Sequence, residues 1–292
     1  MRSGTLWNSS EKINGGSADR LMKKLGLICG SGELPLAIAQ EARAKGHYVF
    51  AIGLEPVAEK ALASAVDEIK WISVGKLGSV IDALKKAGIK EAVMAGKVPK
   101  SLLYKSRITP DLRAVRVLFS LKDRSDDAIL LAVTKELEKD GITLLNTTDF
   151  SSRLLTPEGV LTKGAPSEEE WKDIAFGFRM AKEIGRLDIG QTVVVKNLAV
   201  MAVEAIEGTD EAIRRGGKLA GRGAVVVKVS KPRQDMRFDV PVVGMDTLRA
   251  MMEAEARVLA VEVKKSILLN KEELLKKADK SKISIIGFAG RE

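Results

Sequence analysis

Between Lys231 and Pro241 the sequence KPRQDMRFDVP places Lys231, Arg233 and Arg237 beside Asp235 and Asp239, with a proline near each end. Ordering that many charges in an irregular segment costs conformational entropy, so something anionic or metallic is the expected ligand. The cations suit phosphoryl oxygens, and a carboxylate there suits a divalent metal or a water to be oriented. The same half carries further acids at strand ends and in loops: Asp188 in LDIGQ, Glu204, Glu207 and Asp210 in EAIEGTD, and Asp246. Hard oxygen ligands of this kind, completed by waters and substrate phosphates, suit Mg²⁺. Helix capping, as by Asp210, and surface solvation are the plainer alternative.

A second group lies near the start. Gly30-Ser31-Gly32-Glu33-Leu34-Pro35 falls between an apolar strand and an amphipathic helix. Small residues there let backbone N–H groups and the positive helix end approach a phosphate or nucleotide. The dinucleotide pattern G-x-G-x-x-G is incomplete, because Pro35 stands in place of the third glycine. A tight turn with a comfortable first-turn proline is the alternative without a ligand. Glu55, after the second strand, is positioned either to meet a ribose or simply to be solvated.

Absences narrow the chemistry. His47 is the only histidine and Cys29 the only cysteine. A histidine-rich zinc site is therefore excluded. His47, in AKGHYV at the entry of the second strand, reads as a turn residue, which argues against Ser-His-Asp and Cys-His mechanisms, and Cys29, closing a buried strand, reads as a packing residue. Carboxylate, Lys/Arg and metal chemistry remains, and phosphoryl transfer to water fits it.

The elements that must position these residues alternate. LGLICGSGELPLAIAQEARAKGHYVFAIGL reads as a strand, glycine turn, helix and second strand, and the strand–helix alternation continues to ITLLN at 142–146. This implies a parallel sheet. Ser167 reads as the N-cap of a helix reaching residue 185. QTVVVKNLAVMAV then reads as two strands around a turn at Asn197, followed by alternating helices and strands to ISIIGF. The expected class is α/β: residues 1–22 a flexible extension, 23–150 a Rossmann-like N-terminal domain, 151–166 a linker, and 167–292 a second α/β domain. The stretch 101–121, apolar with interspersed cations, is expected to pack in the core, with an acyl-chain or membrane contact as the alternative.

Of the 292 residues, 45% are hydrophobic and 30% charged, the net charge is +9 and the isoelectric point about 9.5. That balance favours anionic partners. No aromatic interleaving or zinc-ligand spacing supports nucleic acid. No apolar run approaches the ~20 residues that span a bilayer, and no secretion signal is visible. A cytoplasmic protein, able to rest against the inner face of the inner membrane, is the expectation.

Taken in order, GSGELP, AGKV at 95–98, SDDAIL at 125–130, LDIGQ, VEAIEGTD and K-P-x-Q-D-x-R-x-D-x-P-x-x-G-x-x-T from Lys231 to Thr247 resemble the UDP-2,3-diacylglucosamine pyrophosphatases that lie outside the metallophosphoesterase superfamily. The resemblance runs from about residue 24 to 288. It implies a substrate cleft between the two domains and Mg²⁺-assisted attack of water on the pyrophosphate, giving UMP and 2,3-diacylglucosamine 1-phosphate (lipid X). The family's essential aspartate falls in QDMRFDVP, at Asp239 or Asp235. Combined with the reading of the residues themselves, this places Mg²⁺ on Asp239, Asp235 and Asp210, with Glu207 as the alternative to Asp210. The substrate is assigned to Gly30, Ser31, Gly32, Leu34, Gln191, Glu207, Thr209, Asp210, Lys228, Lys231, Gln234 and Arg237. The partners implied are the UDP-lipid and lipid X, with a homodimer allowed for and no nucleic acid. The rival readings are a nucleotide-binding oxidoreductase and a basic nucleic-acid or membrane-binding module.

Overall fold

A computed structural model of the chain describes residues 22–99, 102, 109–121 and 126–290. Residues 1–21 of the expected extension, and Ser125 of SDDAIL, lie outside the described residues. The first half builds one sheet from β1 (Lys24–Cys29), β2 (Tyr48–Glu55), β3 (Glu68–Ser73), β4 (Glu91–Ala95) and β5 (Thr143–Leu144), all parallel, in the order β3-β2-β1-β4-β5. Among the described residues its longer helices are α1 (Leu34–Ala44), α2 (Leu77–Lys86), α3 (Leu112–Ser120) and α4 (Asp126–Lys139). Alternate strand residues face opposite ways. Leu25, Leu27, Val49 and Ala51 meet Ile38, Ala39 and Ala42 of α1 on one face. Ile28, Phe50 and Ile52 meet Val80, Ile81 and Leu84 of α2 and Leu137 of α4 on the other. Cys29 is fully buried, and burial pushes its thiol up, which keeps it an uncharged packing residue.

The second half contains β6 (Gly159–Val160), β7 (Thr192–Lys196), β8 (Ala199–Val203), β9 (Val225–Lys228), β10 (Val242–Val243), β11 (Val258–Glu262), β12 (Ile267–Leu268) and β13 (Ser284–Phe288). Six of these form a mixed sheet in the order β6-β13-β11-β9-β7-β8, parallel across β9, β11 and β13 and antiparallel elsewhere, while β10 and β12 pair separately. One face is covered by α5 (Glu168–Arg186), through Ile174 and Ala181 on Val193, Val195, Val225 and Val227. The other is covered by α6 (Thr209–Ala220), α7 (Met245–Glu253) and α8 (Lys271–Lys280), whose Ile213, Leu248, Met251 and Leu274 meet Val194, Val226, Leu259 and Ile285. The expected α/β class, with one parallel-sheet domain and a second α/β domain, is what is found.

Local sequence accounts for the element ends. Ser167 and Glu170 form a reciprocal capping box at α5. The β7–β8 hairpin turns on Asn197 and Leu198, both at positive φ (52° and 59°). Asp173 of α5 holds that turn by accepting from both of its backbone N–H groups, at 2.9 and 2.6 Å. The halves meet through Val240, Ile267 and Leu269 packed with Leu34, Ala37, Leu154 and Met236, and through Asn270 donating to Glu33 at 2.9 Å.

Two features depart from the sequence reading. The two-residue strands β6, β10 and β12 are too short to show a period. Helix α3 was expected in the core with the rest of 101–121, yet Leu112 and Phe119 are 85% and 84% exposed; the helix buries only its other side, through Val117. Among the described residues no helix is long and apolar enough to cross a membrane.

Helix α6 lies directly on the sheet because it presents glycine there: a Cβ on Gly216 would stand 2.5 Å from the Val194 side chain. Gly216→Val is therefore expected to lower unfolding free energy by about 1–3 kcal/mol, as overpacking does, read as a lower urea midpoint with unchanged slope. Gly221→Ala is not an equivalent control, since Gly221 has φ 65°.

Candidate functional site

Strand β9 ends in Lys228, which is only 5% exposed. Its Nζ donates to the carbonyl of Val242 at 2.9 Å and to Thr209 Oγ1 at 3.1 Å. Thr209 in turn donates to Glu204 Oε1 at 2.8 Å. Burial pulls the Lys228 ammonium below the usual lysine range; the fields of Glu204, Asp210 and Asp239 oppose that shift, and Lys97 adds to it. Charged groups from four places thus converge on one buried nitrogen: the end of the β7–β8 hairpin, the first turn of α6, the 231–241 loop, and the loop after β4 in the other half. Asp210 sits at the positive end of α6, and its Oδ1 accepts from Thr247 Oγ1 at 3.2 Å.

The 231–241 loop is fixed at its start by Glu262 at the end of β11. That buried carboxylate accepts from the Ser230 N–H at 2.8 Å and from Lys182 Nζ at 2.6 and 2.7 Å. Inside the loop, Gln234 Oε1 accepts from the Lys231 N–H at 2.8 Å and from Ser230 Oγ at 3.0 Å. A backbone N–H can only donate, so the amide orientation is set and Nε2 faces outward. It donates to Asp239 Oδ2 at 2.7 Å and lies 3.4 Å from Gln191 Oε1. Asp235 is engaged differently: Arg237 grips both its oxygens, at 2.9, 3.1 and 2.6 Å, and holds its carboxyl below the usual carboxylate range. The loop is also docked on the first half. Phe238 packs against the core around Phe50 and Ile52. The Thr147 N–H donates to Met236 O at 3.1 Å, and its hydroxyl lies 2.9 Å from Arg237 O and 3.1 Å from Met94 O.

The glycine turn sits beside β4 at the point where strand order reverses, the usual ligand crevice of such sheets. Its first N–H groups are committed elsewhere: Gly30 donates to Ala95 O at 2.8 Å and Ser31 to Lys97 O at 2.9 Å. Gly30 is glycine because a Cβ would stand 2.6 Å from the Lys97 carbonyl. The expected phosphate approach through these two N–H groups is thus replaced by a backbone bridge that fixes Lys97. Gly32, at φ 97° with open space around it, is left at the foot of α1.

Of the residues expected from sequence, Asp239, Asp210, Lys228, Thr209, Gln191 and Gln234 are brought together. Asp235 and Arg237 form a pair within the loop, and Lys231 reaches Asp188 at 2.6 Å. Glu207 is tied to Arg215, and Leu34 packs in the apolar junction. Among the described residues no three acidic, histidine or cysteine side chains gather to hold a metal by themselves. With both oxygens gripped by Arg237, Asp235 does not fit the metal set in this arrangement. Asp239 and Asp210 do fit a hard cation, each with one carboxylate oxygen outside the hydrogen bonds described above, since Mg²⁺ typically takes one or two carboxylates plus waters and substrate phosphates. A depression of about 810 Å³ lies at the opposite strand ends, lined by Arg222, Glu255, Arg257 and Lys282, and contains none of these residues.

Sequence reading missed Lys97, Glu262, Lys182 and Thr147 as participants and left Glu204 among undifferentiated acids. A signal existed for Glu262: VVVK and VLAVE both end apolar runs in a charge, which places Glu262 at the strand end neighbouring that of the expected Lys228.

Comparison with known proteins agrees over most of the chain. Residues 24–154 match the LpxI N-terminal domain and residues 157–286 the LpxI C-terminal domain. A Caulobacter vibrioides protein named UDP-2,3-diacylglucosamine pyrophosphatase LpxI is 32% identical over 282 residues, covering 93% of this chain and 99% of that one. Solved structures are more distant. The Bordetella bronchiseptica enzyme WbmG in complex with NAD gives a TM-score of 0.28 and 17% identity over 45% of this chain and 37% of that one. Phosphoribosylglycinamide synthetase from Anaerococcus prevotii gives 0.26 and 15% over 65% of this chain and 34% of that one. Neither bears on the site. With both domain models matched in order and a full-length relative at that identity, the chain belongs to the LpxI family.

Proposed function

We propose that the chain hydrolyses the pyrophosphate of UDP-2,3-diacylglucosamine to UMP and 2,3-diacylglucosamine 1-phosphate, a step of lipid A synthesis, in the cleft between the two halves. Family membership supports the reaction class. The observation that carries the site is the convergence of Asp239, Asp210, Glu204 and Lys97 on the buried Lys228. A pyrophosphate brings negative charge to a place where two lysines from different halves already stand near each other. A desolvated ammonium interacts more strongly with developing phosphoryl charge than one in water does.

In this reading Asp239 and Asp210 would hold Mg²⁺. The ion would neutralise the leaving phosphate and lower the pKa of a water. Gln234 holds the Asp239 carboxylate in place from the side away from the substrate. Lys228 meets the phosphoryl oxygens, aided by Lys97, and Thr209 and Glu204 keep its ammonium oriented. Asp235 acts through Arg237 on the shape of the loop and touches no reacting atom. Gly32 and the foot of α1 face the nucleotide or sugar phosphate. A cytoplasmic location follows from the same reading. The nicotinamide oxidoreductase alternative loses support, because the N–H groups of Gly30 and Ser31 that would meet a dinucleotide are bonded to the β4 loop.

UMP release from UDP-2,3-diacylglucosamine, measured with and without Mg²⁺, tests this directly. Turnover is expected to require the metal, and a folded wild type that releases no UMP would overturn the reading in favour of nucleotide binding alone. Asp239→Asn is expected to lower kcat by about 10³-fold or more, and Lys228→Met by about 10²–10³-fold, the scale of losing a preorganised charge in a dry site.

Asp235→Asn separates loop support from chemistry. It should keep more than about a tenth of wild-type kcat while costing about 1–2 kcal/mol of stability from the weakened charge-assisted pair. A kcat loss equal to that of Asp239→Asn would return Asp235 to the reacting groups.

A further inference from the structure

Helix α3 is held from behind. Asp111 caps it through the Ala114 N–H at 2.8 Å and caps α2 through the Gly78 N–H at 2.8 Å. Arg113 is turned inward, bonded to Glu136 and Asp140 around the end of α4. The opposite side carries Leu112, Arg116 and Phe119, spaced i, i+4, i+7 and therefore on one face. Leu112 and Phe119 are 85% and 84% exposed, and none of the described residues covers them. Arg116, between them, is exposed and has no hydrogen bond or ion pair among the described residues.

Charge singles out the occupant. Between Lys100 and Arg124 the sequence has six Lys or Arg besides the inward-turned Arg113, against two acids, so positive charge is concentrated in this segment. A two-fold contact with a second copy would bring Arg116 against Arg116 in a desolvated interface. An anionic headgroup layer over acyl chains complements both parts of the stripe, and apolar residues flanking a cation are what an interfacial helix presents. The helix is also the element that follows the β4 loop carrying Lys97.

We infer that the Leu112–Arg116–Phe119 face of α3 is a docking surface for an anionic lipid bilayer, with the two apolar side chains entering the headgroup–acyl boundary and Arg116 paired to lipid phosphate. This deepens the proposed function and rests on it for its purpose, since a diacylated substrate is delivered from such a surface. The geometry itself does not depend on that reading.

Flotation of the full chain with vesicles of phosphatidylethanolamine and phosphatidylglycerol, beside vesicles of phosphatidylcholine alone, tests the inference. The wild type should float with the anionic vesicles and be released by salt. The Leu112→Ser/Phe119→Ser double variant and Arg116→Glu should each bind at least about tenfold more weakly, with unfolding midpoints unchanged because all three positions are exposed. No wild-type flotation, or flotation unaffected by the variants, would overturn it. So would a dimer in sedimentation velocity that the double variant dissociates, in the absence of vesicle binding. UMP release from substrate in detergent micelles is read in parallel. Turnover without flotation removes the docking surface alone, whereas flotation without turnover leaves it standing and removes the pyrophosphatase reading.

Discussion

An ammonium out of water is tolerated only where carboxylates stand close to it, and the second half of this molecule is organised around meeting that condition for Lys228. β9 ends at the lysine, and the β7–β8 hairpin ends at Glu204. The first turn of α6 supplies Thr209 and Asp210, and the loop after Ser230 returns Asp239 to the same place. None of these groups is near the others in sequence, so the sheet order β11-β9-β7-β8 is what makes the cluster possible. Lys97 brings a second cation to the same place from the first half of the molecule.

The segment from 231 to 241 has almost no regular structure, yet it is held on both sides. Glu262 and Lys182 fix Ser230 immediately before it, the Gln234 side chain spans its interior, and Phe238 and Thr147 tie it to the core of the other half. The two aspartates consequently live in different surroundings. Asp235 is closed off by a guanidinium two residues away, and Asp239 is held by one neutral amide and faces Lys228.

Much of the fold was legible because strands buried on both faces read as apolar runs with period-two sorting. LGLIC, VVVK and VLAVE are examples, and the Ser167 capping box and the Asn197 turn announced themselves by residue type. The site was only half legible. The motif pointed to the loop, but Asp235 and Asp239 are the same residue type in one loop, and nothing local says that Arg237 grips the first. Gly30 looked like a glycine kept for a phosphate, whereas the atom beside it is the Lys97 carbonyl, 67 residues away in sequence. Helix α3 escaped because Leu112 and Phe119 on its exposed side are as apolar as Val117 on its buried one, and apolar residue type alone cannot tell which side a core will claim.

The Phe238 and Thr147 contacts carry a consequence for how such a molecule can change over generations. The carboxylates of the second half take their positions partly from Phe50, Ile52 and Met94 of the first. A repacking substitution in that first core is therefore felt at Asp239 even though no residue of the second half has altered. The two halves are bound to diverge in step, and a first half taken from a distant relative would bring with it a seat shaped for another loop.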